Sequence, residues 1–247
     1  MALSIKNQEI IGEIDNLEAK LEGKLPVDRL ELLVLVNSWG RTNFSYTEYL
    51  NEDVKIEKCK EKECYDLSKL DVSQITNMDS VFCFSNFNCD LGNWDVSNVT
   101  NMLDMFFFAK KFNSPLNDWD VSNVIDMNYM FFEAISFNQD ISKWDVSKVK
   151  YISYMFANTL EFNQNISKWN LENIINCDCM FNKAESFIDK YNSGEPLPYK
   201  TEDIKKWFNL NRDRMNAIDI KEKYGKEVDS FFSKFSNKEI SKEIKWH

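Results

Sequence analysis

One period governs the middle of this chain. Trp94, Trp119, Trp144 and Trp169 recur every 25 residues, and Leu70 stands 24 before the first of them. Met105, Met130, Met155 and Met180 keep the same interval, each followed by Phe: Phe106, Phe131, Phe156 and Phe181. A third column, Phe112, Phe137, Phe162 and Phe187, lies seven residues after each Met. In the leading copy Val81-Phe82 stands only six before Phe87, which accounts for its shorter spacing. Columns that coincide at one period mean a unit of supersecondary structure repeated along the chain. Such a unit cannot bury its apolar side alone, and stacking it on copies of itself makes one continuous core.

Within each unit the pattern Leu-x-x-Trp-x-Val alternates as a strand with one buried face does. This predicts short parallel strands at 70–72, 94–96, 119–121, 144–146 and 169–171. The columns Val99, Met102, Met105, Phe106, Ala109 and Phe112 then fall three and four apart, the spacing of a helical or 3₁₀ turn on the return path. The expected fold class is an α/β solenoid, a leucine-rich-repeat-like stack of about five coils over 66–190, with helical caps at 1–65 and 191–247. The N-terminal flank carries Ile10, Ile11, Ile14, Leu17 and Leu21 at helical spacing, with Gly23 as a stop and a second helix beginning near Pro26. Residues 51–65 are charged and read as a loop or hairpin. In the C-terminal flank, Ile204, Trp207, Phe208 and Leu210, then Phe231, Phe232 and Phe235, suggest two helices after a turn at 192–198. Open ends of such a stack expose core and need caps, although a flank can also be a binding module.

The unit Trp-Asp-Val-Ser-Asn-Val-Thr-Asn-Met-x-x-Met-Phe-x-x-Ala-x-x-Phe-Asn, carried by residues 94–113 and repeated at 119–138 and 144–163, resembles the BspA-like leucine-rich repeat family in its mycoplasma-type form of 25 residues. The resemblance covers about half of the chain. It implies adhesion or protein interaction and no catalytic residues. The family's members are mostly surface proteins, whereas Met1 is followed here by no basic and apolar leader. No run of 18 apolar residues is present. The expected location is cytoplasmic or within an assembled particle.

The formal net charge is −10, and the repeats hold nearly all of it. That disfavours nucleic acid and anionic membranes, which need clustered Lys and Arg. The one histidine, His247, is the last residue, so triads built on His have no base. No glycine-rich nucleotide loop occurs. Cys59/Cys64, Cys83/Cys89 and Cys177/Cys179 lack the spacing of a zinc site, and Cys177 falls in the apolar column of Met102 and Met127. Free thiols and no cofactor or metal are therefore expected. The candidate partner-binding residues are Asp71, Asp95, Asp120 and Asp145. With Trp and Val facing in, these aspartates face out as a row one coil apart, beside Asn93, Asp118, Lys143 and Lys168. Two readings stay open: each Asp closes a local turn with the following Ser or Asn, or the row awaits a cation or a basic partner. The expected function is a non-enzymatic interaction or scaffold protein with a protein partner. The alternative is a structural component of an assembly whose flanking helices make the contacts, with Trp207, Phe208, Phe231 and Phe232 as the competing apolar surface.

Overall fold

The computed structural model describes residues 17–37, 66–85 and 88–235, the side chains of Val34, Asn37 and 226–235 excepted. Ile10, Ile11, Ile14, the 51–65 segment, Cys59, Cys64, Phe87 and His247 lie outside the described residues. Four helices occur among those described: α1 (Leu17–Leu21), α2 (Arg29–Asn37), α3 (Glu185–Asn192) and α4 (Thr201–Phe235). Between α2 and α3 the repeats lie side by side in register, and their pairing is parallel throughout.

Of the expected strands only 70–72 pairs, through Asp71 to Pro26 of the N-terminal flank; between coils the pairing falls at a different place. Parallel bridges join Asn77 to Asn101, Asn101 to Asp126, Asp126 to Tyr151, and Tyr151 to Asn176, seven residues downstream of the Trp column. The segments 94–96, 119–121 and 144–146 are bends that bring Trp and Val inward without pairing. From the bridge onward each coil runs as a ribbon of consecutive tight turns. Met105, Phe107 and Ala109 donate their N–H three residues back, to Met102, Asp104 and Phe106. The intervening Met102, Asp104, Phe106 and Phe108 donate to Asp126, Asn128, Met130 and Phe132 of the next coil, at 2.8–3.0 Å. Every amide from Met102 to Ala109 therefore has a partner, as buried backbone requires. The alternation sets the backbone left-handed at every fourth residue: Ser80 and Phe84, Asp104 and Phe108, Tyr129 and Glu133, Tyr154 and Asn158, Cys179 and Lys183. Side chains there cost about 1–2 kcal/mol each, a cost the inter-coil ladder holds in place.

The columns line up as stacks. Phe82, Phe106, Phe131, Phe156 and Phe181 lie with ring centroids 5.3, 5.4, 5.8 and 5.9 Å apart and nearly parallel planes. Phe112, Phe137, Phe162 and Phe187 do the same at 6.0, 6.1 and 5.9 Å. Within a coil the two stacks meet, as in Phe131–Phe137 at 3.9 Å. Each Trp is buried yet keeps its indole N–H satisfied: Trp94, Trp119, Trp144 and Trp169 donate to the carbonyls of Leu67, Leu91, Leu116 and Ile141 in the preceding coil. A buried Trp needs such an acceptor, so the column fixes register as well as filling volume.

The ends are closed by the flanks. Gly23 has φ of 72° and follows α1; a Cβ there would lie 2.3 Å from the Lys69 carbonyl oxygen, so only glycine fits. Pro26 bridges Asp71, and the Val27 N–H donates to Asp71. Helix α2 starts at Arg29 rather than Pro26 because Asp28 caps it. The Asp28 carboxylate accepts from the Glu31 N–H while Glu31 accepts from the Asp28 N–H, a capping box. At the other end the expected pair of helices is one, α4, 35 residues long and about 50 Å in length at ~1.5 Å per residue. Gly225 lies inside it without ending it, since a mid-helix glycine costs only about 1 kcal/mol. Helix α4 packs through Ile204, Phe208 and Met215 and is tied down by Arg212 donating to the Ser167 carbonyl and Lys190 pairing with Asp219 and Glu222.

Candidate functional site

The four predicted aspartates each sit at the head of a turn. Asp71, Asp95, Asp120 and Asp145 accept from the N–H of Ser73, Ser97, Ser122 and Ser147 at 2.9–3.0 Å, and Asp95 also takes the Ser97 hydroxyl at 2.6 Å. These are Asx turns. Asp66 and Asn170 make the same turn at the two ends of the series. Three of the four form an exposed row: Asp95, Asp120 and Asp145. Asp71 stands apart, half-buried, with its carbonyl taken by Val27 of the N-terminal flank.

The turn bonds set the electrostatics of the row. Hydrogen bonds from the hydroxyl and N–H of Ser122 hold the Asp120 carboxyl below the ordinary range, with Lys148 assisting. The N–H and hydroxyl of Ser147 do the same for Asp145, against a raising effect from Asp120. The like charges of Asp120 and Asp145 are thus accommodated locally. Around them Asn93, Asp118, Lys143 and Lys168 are exposed. The amides of Asn98, Asn123 and Asn173 reach back to the carbonyls of Ser73, Ser97 and Ser147, clipping each turn to its predecessor. Lys148 replaces the clip in its coil and bonds Asn123 instead, at 2.7 Å.

A second set of carboxylates lies on the turn ribbon, and Asp104, which the register with Cys179 suggests is exposed, is half-buried there. Burial pushes the Asp104 carboxyl up to about 7, with Asp79 and Asp126 adding repulsion. Asp126 is also raised, by burial first. The signal for Asp104 was its place in the register beside Tyr129, Tyr154 and Cys179, but the left-handed backbone that tucks it in is not visible from spacing. Among the described residues no group of three His, Cys, Asp or Glu side chains is placed to hold a metal ion. Cys83, Cys89, Cys177 and Cys179 are free thiols. Cys177 is buried in the apolar column, and burial pushes its thiol up to about 11.

The competing apolar surface is altered by the structure. Phe208 is fully buried in the cap, and Trp207 is half-buried with its indole N–H on Asn192 at 3.0 Å. Both belong to packing rather than to a contact face. The side chains of Phe231 and Phe232 lie outside the described residues. Among the described side chains of α4, the large apolar groups exposed are Leu210, Ile220 and Tyr224.

With this geometry in hand, comparison with known families is decisive on one point. The family described as mycoplasma protein of unknown function, DUF285, matches three overlapping stretches, 50–140, 83–194 and 116–223, which together cover more than half of the chain. The chain belongs to that family. Its matches overlap as a repeat requires, and they span the whole coil array and most of α4. No curated protein and no solved structure matches the chain. Among the described residues no helix is long and apolar enough to cross a membrane.

Proposed function

We propose that this DUF285 chain is a non-enzymatic interaction or scaffold protein, built as a leucine-rich-repeat-like solenoid of the BspA type, and that it binds a basic or polar segment of a protein partner along the row Asp95, Asp120 and Asp145. The observation that carries the reading is the row itself. Three carboxylates stand at one-coil intervals on one exposed surface, each locked in a turn. Fixed charges lose little conformational entropy on binding, and a regular row suits an extended partner. The side chains around the row are Asn, Ser, Asp and Lys, which offer hydrogen bonds and charge to a partner.

Neutralising the row tests this without breaking the turns, because Asn170 already closes one with an amide. The full chain and an Asp95→Asn/Asp120→Asn/Asp145→Asn variant are used to capture partners, which are identified by mass spectrometry. The expected result is a partner retained by the wild type, lost from the variant, and released as salt rises. A partner held equally by both proteins and indifferent to salt refutes the row as the site. In that case the second reading gains, in which the chain is a component of an assembly joined through α4. Leu210, Ile220 and Tyr224 favour that reading because they lie exposed on a helix already anchored by its other face.

A further inference from the structure

The coil array has an unfilled edge. In each of the four later coils, the residue before the bridge donates its N–H to the preceding coil: Thr100 to Thr76, Ile125 to Thr100, Lys150 to Ile125 and Ile175 to Lys150, at 2.7–2.8 Å. The bridge residue's carbonyl accepts from that same preceding coil: Asn101 from Met78, Asp126 from Met102, Tyr151 from Met127 and Asn176 from Ile152, at 2.8–2.9 Å. Two residues on, Leu103, Asn128, Ser153 and Asp178 accept in the same way from Ser80, Asp104, Tyr129 and Tyr154. The first coil has the same three groups: the Thr76 N–H, the Asn77 carbonyl and the Asp79 carbonyl. The N-terminal flank supplies a substitute for only one of them. The Arg29 guanidinium donates to the Asp79 carbonyl at 2.7 Å. Among the described residues the Thr76 N–H and the Asn77 carbonyl have no backbone partner, and Arg29 Nε, itself buried, has no hydrogen-bond partner either.

These unspent groups line one cavity of about 340 Å³, walled by Val27, Asp28 and Arg29 on one side and by Gln74, Thr76 and Asn77 on the other. The acids beside it are already engaged. Asp28 and Glu31 cap each other's N–H groups, and Glu31 pairs with Lys20. At the opposite end helix α4 and the segment before it cover two of the corresponding groups: Cys177 and Cys179 donate to Thr201 Oγ1 and to the Tyr199 carbonyl.

We propose that this edge binds an extended peptide segment, which adds to the array as one more parallel rung. The later coils define what it must present: a backbone carbonyl for the Thr76 N–H, and, two residues on, an N–H for the Asn77 carbonyl. A further acceptor on the peptide takes Arg29 Nε. Main-chain hydrogen bonds at an exposed edge are an established source of peptide affinity, and an unpaired edge is otherwise a hazard that folds cover. The site is separate from the aspartate row, and neither depends on the other.

The test uses the full chain, labelled for amide exchange by NMR, and one synthetic probe: the acetylated and amidated hexapeptide Asn-Val-Thr-Asn-Met-Leu, the sequence of residues 98–103. It carries the Thr carbonyl and the Met N–H that the edge calls for. In the free protein the Thr76 amide should exchange at least about tenfold faster than the amides of Thr100, Ile125 and Lys150, which are bonded in the ladder. Near-saturating peptide should slow Thr76 about tenfold, while a peptide N-methylated at Met should not. Arg29→Lys, which lacks Nε–H in that position, should weaken the peptide's effect. The proposal is overturned if Thr76 is as protected as Thr100 in the free protein, if the peptide leaves Thr76 unchanged, if it protects the Asp95–Asp145 row instead, or if N-methylation makes no difference. The wild-type exchange measurement stands even where Arg29→Lys impairs folding.

Discussion

Replacing Asp104 by Asn should stabilise the protein at neutral and alkaline pH, with a gain that shrinks as pH falls and vanishes only below the ordinary carboxyl value of 3.8. Asp104 is half-buried on the turn ribbon in a left-handed conformation that Asn adopts as readily. Its carboxyl is raised to about 7 by burial and by Asp79 and Asp126. The ordinary value, which the unfolded chain has, is 3.8. Between those values the folded state binds more protons than the unfolded state, so stability falls as pH rises through this window. A shift of about 3 units corresponds to roughly 4 kcal/mol at most. Because part of the carboxyl meets solvent, screening reduces this to about 1–2 kcal/mol. Asp66, Asp120 and Asp145 act in the opposite sense: their carboxyls are lowered, so their stabilisation is lost only when acid is strong enough to protonate them. Urea denaturation of wild type and Asp104→Asn at pH 3 and pH 8 separates the charge from packing. The variant should gain about 1–2 kcal/mol at the higher pH and little at the lower. Equal differences at both pH values would refute the account, because then the gain would come from packing or backbone rather than from a buried charge.

Two further outcomes follow from the stack. Trp144→Ala should cost about 3–5 kcal/mol, since Trp144 is buried between Phe131 and Trp169 at 6.3 and 6.4 Å and its loss leaves the Leu116 carbonyl with the Trp119 N–H alone; a denaturation midpoint near wild type would show that the column does not carry the fold. Lys183→Gly should raise stability by about 0.5–1 kcal/mol, because Lys183 is exposed yet held at φ of 56°; a loss of stability on this change would mean that the ribbon's left-handed positions are not strained.

The core was legible because it follows from side chains alone. Trp, Val, Met and Phe at one interval must share a side of the coil, and each column the sequence marked, Phe87 apart, is buried in the structure. The backbone that joins them was not legible for a specific reason. Leu-x-x-Trp-x-Val has the alternation of a strand, but that segment turns sharply through the Asx bonds of Asp95, Asp120 and Asp145, and a turn whose apolar residues point inward gives the same spacing of two. The true ladder begins at Thr76-Asn77, Thr100-Asn101, Ile125-Asp126, Lys150-Tyr151 and Ile175-Asn176, where an Asn or Asp recurs in four coils but no apolar column marks the pairing. Hydrogen bonds between backbones impose no residue identity, and a search for columns finds only what side chains require. The same blindness hid Arg29: its partner is a carbonyl 50 residues away, and nothing about Asp79 as a side chain announces that contact.

That distinction bears on where recognition resides. The Asp row repeats faithfully, but a turn already explains the repetition, since Ser73, Ser97, Ser122 and Ser147 each need an acceptor two residues back. Its regularity is therefore weaker support for a partner than the charge it leaves in water. The positions free of structural demand are the ones that change from coil to coil: Asn93, Asp118, Lys143 and Lys168 before each Trp, and Thr100, Ile125, Lys150 and Ile175 along the ladder. A frame that holds its columns constant while these vary can tune a surface without altering its core. Recognition by this chain should accordingly depend on the mixed charges at 93, 118, 143 and 168 as well as on the aspartates. A partner selected by the row would read Lys143 and Lys168 as the repulsive end and Asp118 as the attractive one, giving the bound segment a direction along the stack.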